Sequence, residues 1–489
     1  MYHIRPIASS LFIIIGIAVL PVMSDAATYY VDGNSGNDAN PGTNAKPWKT
    51  LTKASAFAGS LKPGDAVLLK RGSAWDGEQL EIMEVAGTEK NPITFGAYGP
   101  ETAPRPSIGN GRVYVKKSEH IIIRDMEVHH SPQGPCISVS RSGYLTVVNN
   151  VVHHAKSNGI AYHAGVHHTA TVDNIVHDVL ANDGISIHDA QWGDNPGPVG
   201  SHHWVIDNLL PGNYREDAID VATEDAESAP AGQDIKIIGN RIYGARLAGI
   251  VSQHQCRYTW VLGNTIMGCG YAGAKAISLG KATGDGLVKA SGNLLIDNPR
   301  CVRLRDQAEF RNNTIIHRDN SEAFLLYANA DQMILERNLV LTAGVAWVQV
   351  QDDLPDIHRI RLDWNWYGGL HKSGPKTAGA FLYKSAHTLE QWQGTLGQDQ
   401  HSVIGQTVRL YIDDPMPVDV FQWNDDFFAR FIPEENWRGH TMDGRGVGAF
   451  GPDGTRLGME ITPFPGYDVN DGYGWPGPEI VRKRYPLRQ

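Results

Sequence analysis

The chain has 489 residues, with 53 acidic side chains against 43 Lys and Arg and a formal net charge of −10. A surplus of that sign excludes nucleic acid as the expected partner, since phosphate binding draws on clustered Lys and Arg. Length alone suggests two or three domains, but a solenoid grows in one dimension and escapes that expectation, so the periodicity must decide.

Residues 1–26 carry Arg5, an apolar run from Leu11 to Val22, and then Ser24-Asp25-Ala26. Charged, then apolar, then small is the order of a secretory signal peptide, with cleavage expected after Ala26. The run is about a dozen residues, short of the roughly 20 that a membrane anchor needs. No later segment is apolar for long enough to span a bilayer. The expected mature protein is therefore secreted or periplasmic, a monomer, with no membrane partner.

Thr28-Tyr29-Tyr30-Val31-Asp32-Gly33 and Trp48-Lys49-Thr50-Leu51 resemble the opening of many secreted β-helix carbohydrate-active proteins. Thr50 to Ala58 predicts a short amphipathic helix that caps the open end of the fold, which would otherwise expose a bare strand edge.

Between Glu119 and about Gly368 one phrase recurs: an apolar pair, a corner residue, an Asn and another apolar pair. It reads Val147-Val148-Asn149-Asn150-Val151-Val152 at one point and Val205-Ile206-Asp207-Asn208-Leu209-Leu210 at another. From Asn150 the Asn positions step by 24, 34, 32, 24, 29, 20 and 25, reaching Asn338. A period of about 25 with insertions means a solenoid. Each repeat holds a second short strand, such as Ile160-Ala161-Tyr162, Ile185-Ser186-Ile187, Ile219-Asp220-Val221, Ile250-Val251-Ser252, Ile277-Ser278-Leu279 and Val302-Arg303-Leu304. Short strands with Gly and Asn at the corners predict an all-β fold, a right-handed parallel β-helix with an N-terminal capping helix. The recurring Asn is expected to form an internal ladder from coil to coil. The expected organisation is a signal peptide over 1–26, the β-helix with its cap over 27–367, and a loop-rich segment over 368–489 packed on the helix or over its end.

Cys136 and Cys301 hold the same repeat position six repeats apart, or roughly 29 Å at about 4.8 Å per strand, so they cannot pair. Cys256 and Cys269 are close enough in sequence to pair in an oxidising compartment.

If the first apolar residue of each second strand points inward, residues one and three later point outward. The outward set is His163, Ser186, His188, Asp220, Ser278, Arg303 and Arg305, with His254 and Lys281 one position later still. Two positions before the apolar residue come Asn158, Asp183, Asp217, Lys275 and Arg300. One face thus runs from His and Asp to Lys and Arg across about six coils, the length of several sugar units. His163, His188 and Lys275 are the expected substrate contacts. His153, His154, His167 and His168 are read as structural or solvent-facing.

Arg215-Glu216-Asp217-Ala218-Ile219-Asp220-Val221 places three carboxylates in one short apolar strand region, which costs stability unless a cation sits there. Asn182-Asp183-Gly184-Ile185 followed by Glu216-Asp217-Ala218-Ile219-Asp220 resembles the calcium pocket of β-helix pectate lyases of polysaccharide lyase family 9 over about forty residues. The resemblance implies Ca2+ held by Asp183, Glu216, Asp217 and Asp220, and β-elimination on an acidic polysaccharide. In that family a catalytic Lys stands one position after the inward apolar residue of a following coil, where this chain has Val251 and Ser278. The base is therefore open among Lys281, His254, Arg303 and Arg305. Two alternatives stand beside this reading. One is a glycoside hydrolase or uronate epimerase on the same fold, drawing its acid and base from Asp183, Glu216, Asp217, Asp220 and Asp225. The other is a non-catalytic exopolysaccharide-binding or assembly protein.

Overall fold

The computed structural model describes residues 26–163, 165–188, 201–222, 233–252, 256–271, 275–280, 288–305, 307–317, 321–327, 332–351, 354–369, 380–405, 441–462 and 464, and counts of elements refer to these. Residues 1–26, expected to be a signal peptide, lie outside them, apart from Ala26. Among them no helix is long and apolar enough to cross a membrane.

Every repeat supplies three strands, one to each of three sheets. In one coil these are Gly143–Val148, Val151–His153 and Ile160–Tyr162, belonging to the first, second and third sheet in that order. Each of these three sheets holds 13 strands, and all pairings within them are parallel apart from the terminal hairpin of Phe381–Tyr383 with Ser385–His387. The chain is the parallel β-helix that its repeats imply. Alternation puts one apolar column of the third sheet inside, and Ile137, Ile160, Ile185, Ile219, Ile250 and Ile277 are all fully buried there.

The recurring phrase is the corner between the first and second sheets. Its first corner residue takes a left-handed backbone, with φ of 54° at Asn149, 53° at Asp173, 53° at Asp207 and 67° at Gly239. Asn, Asp and Gly tolerate that conformation, which accounts for their alternation at this position. The following Asn points inward. Asn150 donates from its backbone N and its Nδ2 to Asn174 Oδ1, at 2.9 and 3.1 Å. The pattern repeats through Asn208, Asn240, Asn264, Asn293, Asn313, Asn338 and Asn365. It closes on the buried Asp399, which accepts from Asn365 Nδ2 at 3.0 Å.

Both ends are covered. Helix α1 (Leu51–Ala58) starts at Thr50, whose Oγ1 accepts from Lys53 N at 3.0 Å, and it buries Leu51, Ala54 and Ala58. Helix α2 (Leu389–Leu396) lies in the segment expected to be loops and a few strands. It has a capping box between Thr388 and Gln391, and its buried Trp392 stacks on Phe381 at 5.2 Å. The Thr-x-x-Gln signal for it was present in the sequence. The stacked sheets continue beyond 367, through Phe381–Tyr383 and Val403–Ile404. Residues 441–462 run along the outside: Arg456 Nη1 donates to Gly292 O at 2.7 Å, and Trp260 Nε1 to Thr462 O at 2.9 Å.

All four cysteines are buried, and none is in a disulfide. Cys256 and Cys269 do not pair, because they sit at opposite ends of one coil segment, before Arg257–Leu262 and after Thr265–Met267. Cys256 Sγ faces Val221 O at 3.3 Å, and Cys269 Sγ accepts from Ala245 N at 3.4 Å.

The ladder yields a stability test. Asn264→Ala removes the acceptor of the buried Asn240 N and the Nδ2 donor to Ile237 O, while Asn240 Nδ2 keeps Val205 O and Asn293 Oδ1 keeps the backbone N of residue 264. At about 1–3 kcal/mol per buried orphan, the variant is expected to lose at least ~1 kcal/mol. Thermal melting followed by circular dichroism checks this, with the exposed ring of Tyr271 removed as the control. An unchanged midpoint in Asn264→Ala would exclude a structural role for the ladder.

Candidate active site

The third sheet aligns the residues singled out above in adjoining columns. Its outer column runs Ser186, Asp220, Val251, Ser278, Arg303, Leu325 through paired strands. The corner column two residues before the inward apolar position holds Asn158, Asp183, Asp217, Ala248, Lys275, Arg300 and Glu322. The corner is tight. A Cβ at Gly184 would lie 2.6 Å from Ala218 O, so the glycine after Asp183 serves the close approach of adjacent coils.

Two columns meet at the acidic cluster. Asp183 Oδ1 accepts from Asp217 N at 3.1 Å, and its Oδ2 from Asn158 Nδ2 at 3.4 Å. Asp217 Oδ1 accepts from Ala248 N. Asp220 Oδ2 shares a hydrogen bond of 2.6 Å with His188 Nε2. Asp220 Oδ1 is buried and has no hydrogen-bond partner among the described residues. Burial raises the carboxyl of Asp183 well above its ordinary range, and the charges of Asp220 and Asp217 add to the effect. Burial, then the charge of Asp220, pushes Asp217 up to about 7, with Arg303 opposing. Two of these groups therefore hold protons near neutrality unless a cation replaces them. One ligand atom from each of Asp183, His188 and Asp220 lies within 4.8 Å of the others. An orphaned carboxylate oxygen among crowded, proton-holding carboxyls fits a cation, and the donors are mainly the oxygens that Ca2+ takes.

On one side of the cluster His163 follows the strand that pairs with the His188 strand. Burial, then His188 and Arg112, lowers it to about 4, so it is neutral at physiological pH. On the other side lies a basic group. Arg303 Nε donates to Ser278 Oγ at 2.8 Å, so its side chain reaches back one coil toward the acids. The Arg305 guanidinium lies over the Tyr327 ring, 4.2 Å from its centre. Burial favours a neutral Tyr327 phenol, yet hydrogen bonds from Arg305 and Arg303 outweigh it and hold the phenol below its ordinary value.

The structure thus gathers Asp183, Asp217, Asp220 and His188, and separately Arg303 and Arg305. Asp220 and Arg303 stand three coils apart, roughly 14 Å at about 4.8 Å per strand. Glu216 is exposed at the rim, close enough to add to the shift of Asp217. Lys275 is buried with its ammonium on Glu322, two coils along its own column, which removes it from the open face. His254, Lys281 and Asp225 lie outside the described residues. Tyr327 and Glu322 were missed because the strand alignment stopped at Val302. Carried one repeat further to Phe324, the same frame places Glu322 under Lys275 and Tyr327 beside Arg305.

No protein-family model matches the chain. A 91-residue stretch is 44% identical to a lacto-N-biosidase of Bifidobacterium longum subsp. longum, covering 18% of this chain and 6% of that protein. The chain therefore spans only a small fraction of that relative. Among solved structures, a mannuronic acid specific polysaccharide family 6 lyase from human gut microbiota aligns over 87% of this chain and 96% of its own, at 12% identity and TM-score 0.51. The pectate lyase Pel9A aligns over 63% of this chain and 80% of its own, at 16% identity and TM-score 0.45. The chain shares the parallel β-helix fold with such carbohydrate-active enzymes.

The raised carboxyls set a pH dependence. Asp217 folds with its pKa near 7 against about 3.9 in an unfolded chain, so its contribution is complete below about pH 4 and is lost as pH rises through 7. In EDTA the melting midpoint is expected to fall between pH 5 and pH 8, by on the order of several °C. Asp217→Asn should flatten that fall. A wild-type midpoint flat across the range would show that the cluster is not strained by charge.

Proposed function

We propose that the chain is a secreted polysaccharide lyase that cleaves a uronic-acid-containing polymer by β-elimination. The observation that carries this reading is the buried, unpartnered Asp220 Oδ1 inside the Asp183, Asp217 and Asp220 cluster, on a face that turns basic within three coils. Asp183, Asp217 and Asp220, with Glu216 at the rim, are the proposed holders of Ca2+. When bound, Ca2+ supplies charge neutralisation of the uronate carboxylate, which acidifies the proton on the adjacent carbon.

His188 orients Asp220 through their hydrogen bond, and neutral His163 offers ring donors and acceptors to sugar hydroxyls without adding charge. Arg303 and Arg305 hold the carboxylate of a neighbouring sugar unit. Their backbones stand three coils from Asp220, so coil order favours a nearer group as the proton acceptor at the ring held by the acids. Two coils lie between, those of Ile250–Ser252 and Ile277–Leu279. His254 and Lys281 follow these strands in the chain, and on that order alone they are the proposed proton acceptors. Elimination breaks the bond between the leaving sugar oxygen and its ring carbon, leaving a double bond conjugated with the carboxylate.

A second reading has its own support. Asp217, pushed up to about 7 beside Asp220, also suits the acid of a glycoside hydrolase pair, and the 91-residue match is to a lacto-N-biosidase.

Absorbance near 232 nm after incubation with alginate, pectate, glucuronan and glycosaminoglycans, with and without EDTA, separates the readings. The lyase reading expects a rise with one of these polymers that EDTA abolishes and Ca2+ restores. Asp220→Ala and Asp217→Ala are expected to lose activity by roughly 10²-fold or more while keeping the β-helix dichroism. Full activity in both variants would move the site elsewhere. New reducing ends without the absorbance would establish the hydrolase. Polymer retention with neither product would leave a binding protein.

A further inference from the structure

A histidine array on the second sheet plays no part in the chemistry above. Strands Glu127–His129, Val151–His153 and Ile175–His177 pair in register, so His129, His153 and His177 stack with ring centres 4.8 Å apart at each step. The next residue in each coil has a left-handed backbone, with φ of 54° at His130, 53° at His154 and 51° at Asp178. That step folds the second side chain back beside the first. His129 Nδ1 lies 2.7 Å from His130 Nδ1, and His153 Nδ1 lies 2.7 Å from His154 Nδ1. In the third coil His177 Nδ1 meets Asp178 Oδ2 at 2.7 Å instead.

A contact of that length between two ring nitrogens requires one proton and one lone pair. At His153 the assignment follows from its other side. Its Nε2 lies 3.1 Å from Glu127 Oε1, and an ionised carboxylate only accepts, so a neutral His153 carries its proton on Nε2 and turns the Nδ1 lone pair toward His154. A carboxylate behind an imidazole is the arrangement that orients histidines on metal ions. The His130 ring stacks on that of His154 at 4.6 Å and 14°, which brings a third ring to the pair. One nitrogen from each of His130, His153 and His154 lies within 4.8 Å of the others. His130 is exposed and the other two are half-buried, so the group is open to solvent on one side.

We propose that His130, His153 and His154 form a transition-metal site, oriented by Glu127, that clips the coil of Glu127–His130 to the coil of Val151–His154. The ligands are all imidazole, which selects zinc-class divalent ions such as Zn2+, Co2+, Ni2+ or Cu2+ over Ca2+. Binding replaces the proton shared between His153 and His154, and the His154 ring then carries its proton on Nε2. Three protein ligands leave the remaining coordination positions to water. The site stands on a different sheet from the acidic cluster and does not depend on how that cluster is read.

His167 and His168 provide an internal control. They have the same local geometry, with Nδ1 atoms 2.9 Å apart and φ of 51° at His168, but they belong to the first sheet and lie outside the triad. The full chain, stripped with EDTA and dialysed, is titrated with Co2+ and followed by its visible d–d bands. The expected result is a saturable spectrum at one equivalent, displaced by Zn2+ and unaffected by Ca2+. His130→Ala and His154→Ala should each weaken binding by at least ~10-fold, and Glu127→Gln by roughly 10–100-fold, with unchanged dichroism. His168→Ala should bind as the wild type does. Absence of a saturable spectrum, or one that survives the combined His130→Ala and His154→Ala substitutions, overturns the proposal. So does a spectrum lost on Asp220→Asn and retained without His130 and His154, which would place the ion at the acidic cluster.

Discussion

The hydrogen bond from one corner asparagine to the next is the interaction on which the rest of this molecule depends. Each ladder Asn is buried, accepts from the coil before it and donates to the coil after it, from Asn150 to Asn365. A slip of one residue between coils would turn every outward side chain inward. The ladder opposes that slip, because a slipped Asn would leave buried amides without partners. It also absorbs the irregular repeat length: insertions leave at other corners while the Asn phrase returns to the same place.

Locked register has a consequence for charge. Residues at equivalent positions stand one strand spacing apart, so any polar choice repeated along the chain meets itself. The protein answers this in three ways. Lys275 and Glu322, on one corner column, neutralise each other across two coils. The imidazoles of His129, His153 and His177 stack face to face, and burial lowers both His129 and His177 below their ordinary values. The carboxyls of Asp183 and Asp217 have no such partner, and burial raises both. The two carboxyls stand next to each other in the column, with its cations Lys275 and Arg300 at least two coils further on.

The outer face gains its direction from the same stacking. Passing from His163 through Asp220 to Arg305, the chain moves from neutral rings through concentrated negative charge to concentrated positive charge. A polymer lying along the solenoid would meet these zones in successive sugar units, because strand spacing and sugar length are similar. The basic zone is itself built from several groups: Arg303 is held by Ser278, and both arginines are tied to Tyr327. On the proposed reading, guanidiniums fixed in this way would lose little freedom on binding a polymer.

What the sequence determined by itself was the architecture and the membership of each column. Period, αL-tolerant corner residues, inward Asn and alternating strands are local signals, and each repeat states them again, so the β-helix, its α1 cap and the neighbours Asp183, Asp217 and Asp220 could be read directly. The capping box of α2 and the continuation of the columns to Glu322 and Tyr327 are local signals of the same kind. Only the tertiary structure decided where each side chain ends. It put the Lys275 ammonium on Glu322, left Asp220 Oδ1 without a partner, kept Cys256 and Cys269 apart, and folded His154 back on His153. Column membership depends on backbone periodicity. The reach of a long side chain, and the desolvation that shifts its charge, depend on what packs against it from coils far away in sequence.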